Sequence, residues 1–134
     1  SAHSLPLRIV RQGDPYVTEI HETIERICQR LSGVKAHYLG YQSQTRFLRW
    51  LGPPTLEILS QISEIDSSAA VIVPISFVSD HVETLYEIDI LFRQEASALG
   101  ISYFKRVESL NSTPLFIGAL KQVVLDKFKE KGLF

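Results

Sequence analysis

Between Ser76 and Asp89 the chain reads SFVSDHVETLYEID, which sets Asp80, His81, Glu83, Glu87 and Asp89 within ten residues. Carboxylates and imidazoles bind divalent cations and take up protons near neutral pH. On an α-helix, at about 100° per residue, Glu83 and Glu87 share one face a turn apart. Two carboxylates at that spacing repel, so a plain surface helix gains nothing from them. They suit steps for a divalent cation, or paired proton acceptors. A plainer reading stands beside this one. Asp80 followed by Glu83 is a capping box, and acids stabilise the positive end of a helix dipole. His81 would point nearly opposite Glu83 if both were helical, so the two act together only if His81 sits in the turn before the helix.

Other candidates are sparser. His3 follows what reads as a strand end, where an imidazole can take a proton or ligate a metal. Trp50 and Phe47 lie in RFLRWLGPP, and Phe77 and Tyr86 flank the acids. Aromatics are mostly core, but a flat aromatic ligand needs such walls. His21 falls on a polar helix face and His37 in a strand. Cys28 is the one cysteine, which excludes an internal disulfide and an iron–sulfur cluster held by several local thiolates. There is no G-x-S-x-G, no G-x-G-x-x-G and no G-x-x-x-x-G-K-[ST], which argues against nucleophile-elbow, dinucleotide and P-loop sites.

The elements that position these residues follow from periodicity. GDPYVTEIHETIERICQRLSG predicts a helix with Asp14 as cap, Pro15 at its first position and Gly33 at its exit. Val17, Ile20, Ile24, Ile27 and Leu31 form its apolar stripe. KAHYLGYQS predicts a strand, and PPTLEILSQISEID a helix with Leu56, Leu59 and Ile62 inward. AAVIVPI is apolar on both faces and predicts a central parallel strand. The acid-rich stretch opens a third helix that ends before Gly100. ISYFKRV predicts another strand. Ser112 or Thr113 caps a last helix, with Pro114 in its first turn and Phe116, Leu120, Val123, Val124 and Phe128 as its buried stripe. Leu5 to Tyr16 reads as irregular. With SAHSLP as the end of a first strand, the alternation predicts an open α/β fold around four parallel strands. Ligands in such sheets bind beyond the carboxyl ends of the strands. That rule selects SAHSLP, YQSQTRFLRWLGPP, ISFVSDHVETL and KRVESLN.

The 134 residues suit a single domain, and 45% hydrophobic content can fill a core. A net charge of −1 gives no footprint for nucleic acid. The longest apolar run, Ala69 to Val78, is too short to span a bilayer. No signal peptide is evident. The chain has no methionine and opens on an apparent strand end. The expectation is an internal piece of a longer protein, a tag-cleaved chain being the alternative.

SAHSLP, GDPY, YQS…WLGP, VPISFVSDHVETLYEIDI and ESLN…P occur in the order and spacing of the carboxyl-terminal half of ferrochelatases, and the chain resembles that family along essentially its whole length. The resemblance implies a Rossmann-like, three-layer αβα domain over 1–134 with a parallel four-stranded sheet, one of two domains that enclose a porphyrin cleft. It implies insertion of ferrous iron, as substrate, into protoporphyrin IX. His3 and Glu83 would form the metal and proton-abstraction site, with His81 and Asp80 supporting them. Glu87 would continue a path for metal or protons, and Phe77 and Trp50 would lie near the macrocycle. The family's next acid falls at Leu91, so an acidic relay is shorter here. Arg46 and Phe47 replace a Gly-Pro common in the family's loop. The family's four-cysteine cluster has no counterpart. The implied partners are the porphyrin and an amino-terminal domain outside this chain. A cytoplasmic location, with a peripheral contact to the inner membrane left open, completes the expectation. Coproporphyrin or cobalt as substrate, a non-catalytic tetrapyrrole or metal carrier, and a generic domain whose acids merely cap a helix are the alternatives.

Overall fold

The computed structural model describes residues 1–34, 36–65 and 68–133. Lys35, the expected start of the second strand, and Asp66, the expected end of the second helix, lie outside the described residues, as do Ser67 and Phe134. The element order is β1 (Ala2–His3), α1 (Leu7–Arg11), α2 (Tyr16–Cys28), β2 (Tyr41–Gln42), α3 (Thr55–Glu64) and β3 (Ala69–Ile72). A π-helix (Glu83–Phe92) then runs directly into α4 (Arg93–Ala98), followed by β4 (Tyr103–Arg106) and α5 (Pro114–Glu130).

The local signals act as their chemistry requires. The Asp14 carboxylate accepts the Tyr16 N–H at 2.9 Å at the start of α2. Thr113 occupies the N-cap position of α5 without a side-chain capping bond, and Pro114 opens the helix. Gly100, at φ +81°, turns the chain after α4 into β4. The stretch from Leu5 to Tyr16, expected to be irregular, holds the one-turn helix α1.

The strands form two parallel pairs, and the expected single four-stranded sheet is replaced by them. Ala2 and His3 pair with Tyr41 and Gln42. Ala69 to Ile72 pair with Tyr103 to Arg106. Two bonds tie the pairs together: the Ser1 nitrogen donates to Val73 O at 2.8 Å, and the Ile75 N–H donates to Ser1 O at 2.9 Å. Pro74 sits between those contacts and has no N–H to extend a ladder.

The larger core lies where α3, the π-helix and α4 cover one face of β3 and β4, around Leu59, Ala70, Ile72, Ile88, Phe92 and Phe104. A second cluster joins Ala2 and Tyr41 to Ile20 of α2. Burial departs from expectation in three places. β3 is covered on one face only, for Val71 is 59% exposed while Ala70 and Ile72 are buried. Leu56, expected inward, is exposed beside buried Leu59. The helix α5 buries none of its residues, and Leu120, Val123, Val124 and Phe128 of its expected stripe are all exposed. Apolar spacing marks a face that can be buried; it does not supply the surface that buries it.

Gly40 marks the closest approach between β2 and α3. A Cβ there would stand 2.8 Å from Thr55 Cα and 3.0 Å from Thr55 Oγ1. Gly40→Ala should therefore cost about 1–3 kcal/mol of folding stability through overpacking. Gly118→Ala, on exposed α5 with nothing within 4 Å of the new methyl, should be neutral or stabilising by about 0.5–1 kcal/mol. Urea midpoints for the two variants check the contrast, and equal effects would refute it.

Candidate functional site

The carboxyl end of β1 and the turn before the π-helix meet at one aromatic side chain. Phe77, buried, has its ring centroid 6.1 Å from the His3 ring and 5.3 Å from the His81 ring. His81 Nδ1 lies 2.7 Å from Glu83 Oε2. His81 sits before the helix begins, the one placement in which it can act with Glu83. The structure thus brings His3, Phe77, His81 and Glu83 into a single cluster.

Each group is held in a defined state. Ser4 O, a carbonyl, can only accept, so the His3 Nδ1 that lies 2.7 Å away carries the hydrogen. That leaves Nε2 as the ring nitrogen with a free lone pair. Glu83 is pulled below the ordinary carboxylate range by a hydrogen bond from its own backbone N–H, helped by the His81 bond and by the His81 and His3 rings. Its side chain is 32% exposed, so the carboxylate is both ionised and accessible. Among the described residues, no three or more His, Cys, Asp or Glu side chains come close enough to form a metal cage.

Glu87 lies one turn on from Glu83 and on the same side. The Gln42 Nε2 group links this turn, donating to the Glu83 backbone carbonyl at 2.8 Å and to Glu87 Oε2 at 2.9 Å. Ser43 adds its N–H to Oε1 at 2.8 Å and its hydroxyl to Oε2 at 2.7 Å. Ser43 adopts a left-handed backbone, φ 64°, and so presents both donors to one carboxylate. A cavity of about 480 Å³, lined by Glu87, Leu91, Leu56 and Phe92 among others, opens on the far side of Glu87. A smaller one of about 150 Å³ adjoins it along Gln42 and Ser43. Neither is lined by His3 or Glu83.

The Asp80–Glu83 capping box does not form. No side chain of that pair caps the π-helix. Thr84, fully buried, takes the role: its hydroxyl accepts the His81 N–H at 3.1 Å and lies 3.1 Å from both Asp80 Oδ1 and His81 O. Asp80 instead braces the site from behind. Its carboxylate accepts from Asn111 Nδ2 at 2.9 Å and from Arg106 Nη1 at 2.8 Å. The same guanidinium grips Asp89 through Nε and Nη2, both at 2.9 Å. The Asn111 bond first, with Thr84 and Arg106 adding, holds the Asp80 carboxyl down to about 2. Trp50 is placed by other contacts. Its indole N–H donates to Thr45 O at 2.8 Å, and its backbone bridges antiparallel to Pro6.

Gln42, Ser43, Arg106 and Asn111 were not singled out by sequence reasoning. Gln42 and Ser43 lie in YQSQTRFLRWLGPP, and Arg106 and Asn111 in KRVESLN. Both stretches were marked as strand ends, and that was the one available signal.

The parallel pairs and the crossover helices define an α/β protein, and its acid–imidazole cluster lies at the strand ends, the region where ligands bind in such folds. A family model described as ferrochelatase matches residues 1–128. The chain is 46% identical over 124 residues to the ferrochelatase of Geotalea uraniireducens (strain Rf4), covering 92% of this chain and 39% of that protein. It is 45% identical over 130 residues to the ferrochelatase of Nostoc punctiforme (strain ATCC 29133 / PCC 73102), covering 96% and 34%. With the mitochondrial ferrochelatase of Xenopus laevis it shares 42% over 134 residues, covering 99% and 33%. The chain belongs to the ferrochelatase family, and it spans about 39% of the length of the first of these relatives.

A pH test follows from Asp80. Its folded value lies below the ordinary carboxylate range, so its contribution is complete above about 4 and is lost as pH falls toward about 2. Asp80→Asn should be less stable than the parent at pH 7, and the difference should close between pH 4 and 2. Urea titrations across that range check this. A gap that stays constant with pH would contradict it.

Proposed function

We propose that the protein containing this chain inserts ferrous iron into a porphyrin, with the chain supplying the acid–imidazole wall of the cleft. The reaction exchanges two pyrrole protons for one divalent ion, so the site needs a proton acceptor and an anion that can hand over a cation. The observation that carries this reading is the shared cluster of His3 and Glu83, from two separate elements, about Phe77 and His81. His3 offers a single lone pair, on Nε2, for a pyrrole proton. Glu83 stays ionised beside His81 and faces the incoming iron. A site of only two such ligands holds ferrous iron weakly enough to release it. Phe77 supplies an apolar surface between the imidazoles for one edge of the macrocycle, and Trp50 lines the loop beyond.

Glu87 extends the polar path by one turn. The path stops there, since Leu91, the next residue on that face, lines the neighbouring cavity with hydrocarbon. Protoporphyrin IX and iron are the proposed pair, with coproporphyrin and cobalt tested alongside as competing substrates. Asp80 acts through the turn that carries His81 and needs no contact with either substrate.

A peripheral membrane contact belongs to the same proposal. No helix among the described residues is long and apolar enough to cross a membrane. Phe47, however, is 94% exposed, next to exposed Leu48 and between Arg46 and Arg49. The Leu7 N–H bond to Arg49 O carries α1, with Arg8 and Arg11, past the same end of that pairing. Aromatic tips ringed by guanidinium groups suit an anionic headgroup surface.

Two outcomes test these readings in the full-length protein. Glu83→Gln should lower iron insertion about 100-fold or more while porphyrin still binds, followed by absorbance and by fluorescence quenching. Turnover near that of the parent would refute the assignment. Phe47→Glu should reduce co-sedimentation with phosphatidylserine vesicles several-fold and leave insertion into soluble porphyrin unchanged. Equal binding to neutral and anionic vesicles would count against the membrane contact.

A further inference from the structure

The peptide of His3 is enclosed by two hydroxyl groups from elements far away in sequence. Its N–H donates to Ser76 Oγ at 2.8 Å. Its carbonyl accepts from the Tyr16 hydroxyl at 2.8 Å. Burial, the larger influence, raises the Tyr16 pKa, and the Ser76 side chain partly offsets it. The two contacts hold the peptide from both sides: His3 N–H donates to Ser76 Oγ, and the Tyr16 O–H donates to His3 O.

β1 is two residues long and has few other means of fixing its end. Ala2 N–H and Ser4 N–H bond toward β2, to Gly40 O at 3.0 Å and Gln42 O at 2.8 Å. Those residues point the other way, so His3 N–H and C=O are left for the opposite edge, and Ser76 and Tyr16 meet both. Tyr16 is anchored in turn at the start of α2 through its N–H to Asp14. Ser76 lies one residue before Phe77, whose ring contacts both imidazoles.

We infer that Tyr16 and Ser76 are positioning residues for His3, fixing its backbone so that Nδ1 stays bonded to Ser4 O and Nε2 stays turned to the reacting nitrogen. Neither hydroxyl touches substrate. Their effect is to remove the peptide rotation that would release the imidazole from its one tautomer. A displacement of about 1 Å at such a group can cost a factor of up to about 100 in rate. This inference rests on the proposed role of His3, and its test has an arm that does not.

In the full-length protein, Tyr16→Phe and Ser76→Ala are each expected to lower kcat about tenfold, with KM for porphyrin within about twofold. Thermal midpoints should stay close to that of the parent. Ser76→Thr keeps the hydroxyl and should restore kcat. Because both hydroxyls hold the same His3 peptide, the double variant should lose scarcely more than either single one. The second arm reads the imidazole without turnover: nitrogen-15 spectra of histidine-labelled protein should show His3 as the Nδ1–H tautomer in the parent and a tautomer mixture in both variants. Parent-like kcat with an unchanged tautomer overturns the inference, as do losses that multiply in the double variant. A parent that metallates no porphyrin overturns the proposed activity, and the spectra then decide the inference alone.

Discussion

A π-helix bonds each N–H to the carbonyl five residues back, and its wide first turn leaves backbone groups that its own ladder does not meet. Here side chains meet them. Gln42 donates to the Glu83 carbonyl, and Thr84 takes the His81 N–H. Gln42 is buried at the end of β2, so the start of the π-helix is pinned to a strand end. The positions of Glu83 and Glu87 follow from that attachment. So does the approach of His81 to His3, because β1 is the neighbour of β2.

Four carboxylates and an imidazole crowd the stretch from Asp80 to Asp89, yet each has a partner. Asp80 and Asp89 share Arg106, a guanidinium whose planar fork can serve two carboxylates at once. Glu87 is taken up by Gln42 and Ser43, and Glu83 by His81. The acids therefore do not confront one another. Of the three carboxylates nearest the turn, Asp80 and Glu87 have their oxygens occupied by protein donors, whereas Glu83 is bonded to a titratable imidazole at the rim. That difference leaves Glu83 as the carboxylate of the three without a side-chain donor other than an imidazole among the described residues.

Much of the fold was legible because it is local. Asp14, Gly100 and Pro114 each act within a few residues of themselves and perform the expected task, while Pro15 stands one residue before the helix and not at its first position. Leu59 and Ile20 are core residues by spacing alone. The rest depends on contacts between distant segments. Nothing local distinguishes a π-helix from an α-helix in ETLYEIDILF, and the strands shrink to what their partners supply, with Pro74 interrupting the junction. The stripe of α5 and the outer face of β3 were read as buried, since spacing reports a capacity for burial. At the site, His3, His81 and Glu83 were identifiable by residue type and motif. Gln42, Arg106, Tyr16 and Ser76 were not, because amides, guanidinium groups and hydroxyls are common on any surface and become specific only when folding selects their partners.

The account stands on His3 and Glu83 facing one ligand. The most direct measurement is a crystal structure of the full-length protein with a metal-free porphyrin bound. The macrocycle centre should lie between His3 Nε2 and the Glu83 carboxylate, with Phe77 against its edge. A porphyrin seated instead in the cavity beyond Glu87, or with its centre out of reach of either side chain, would contradict the account.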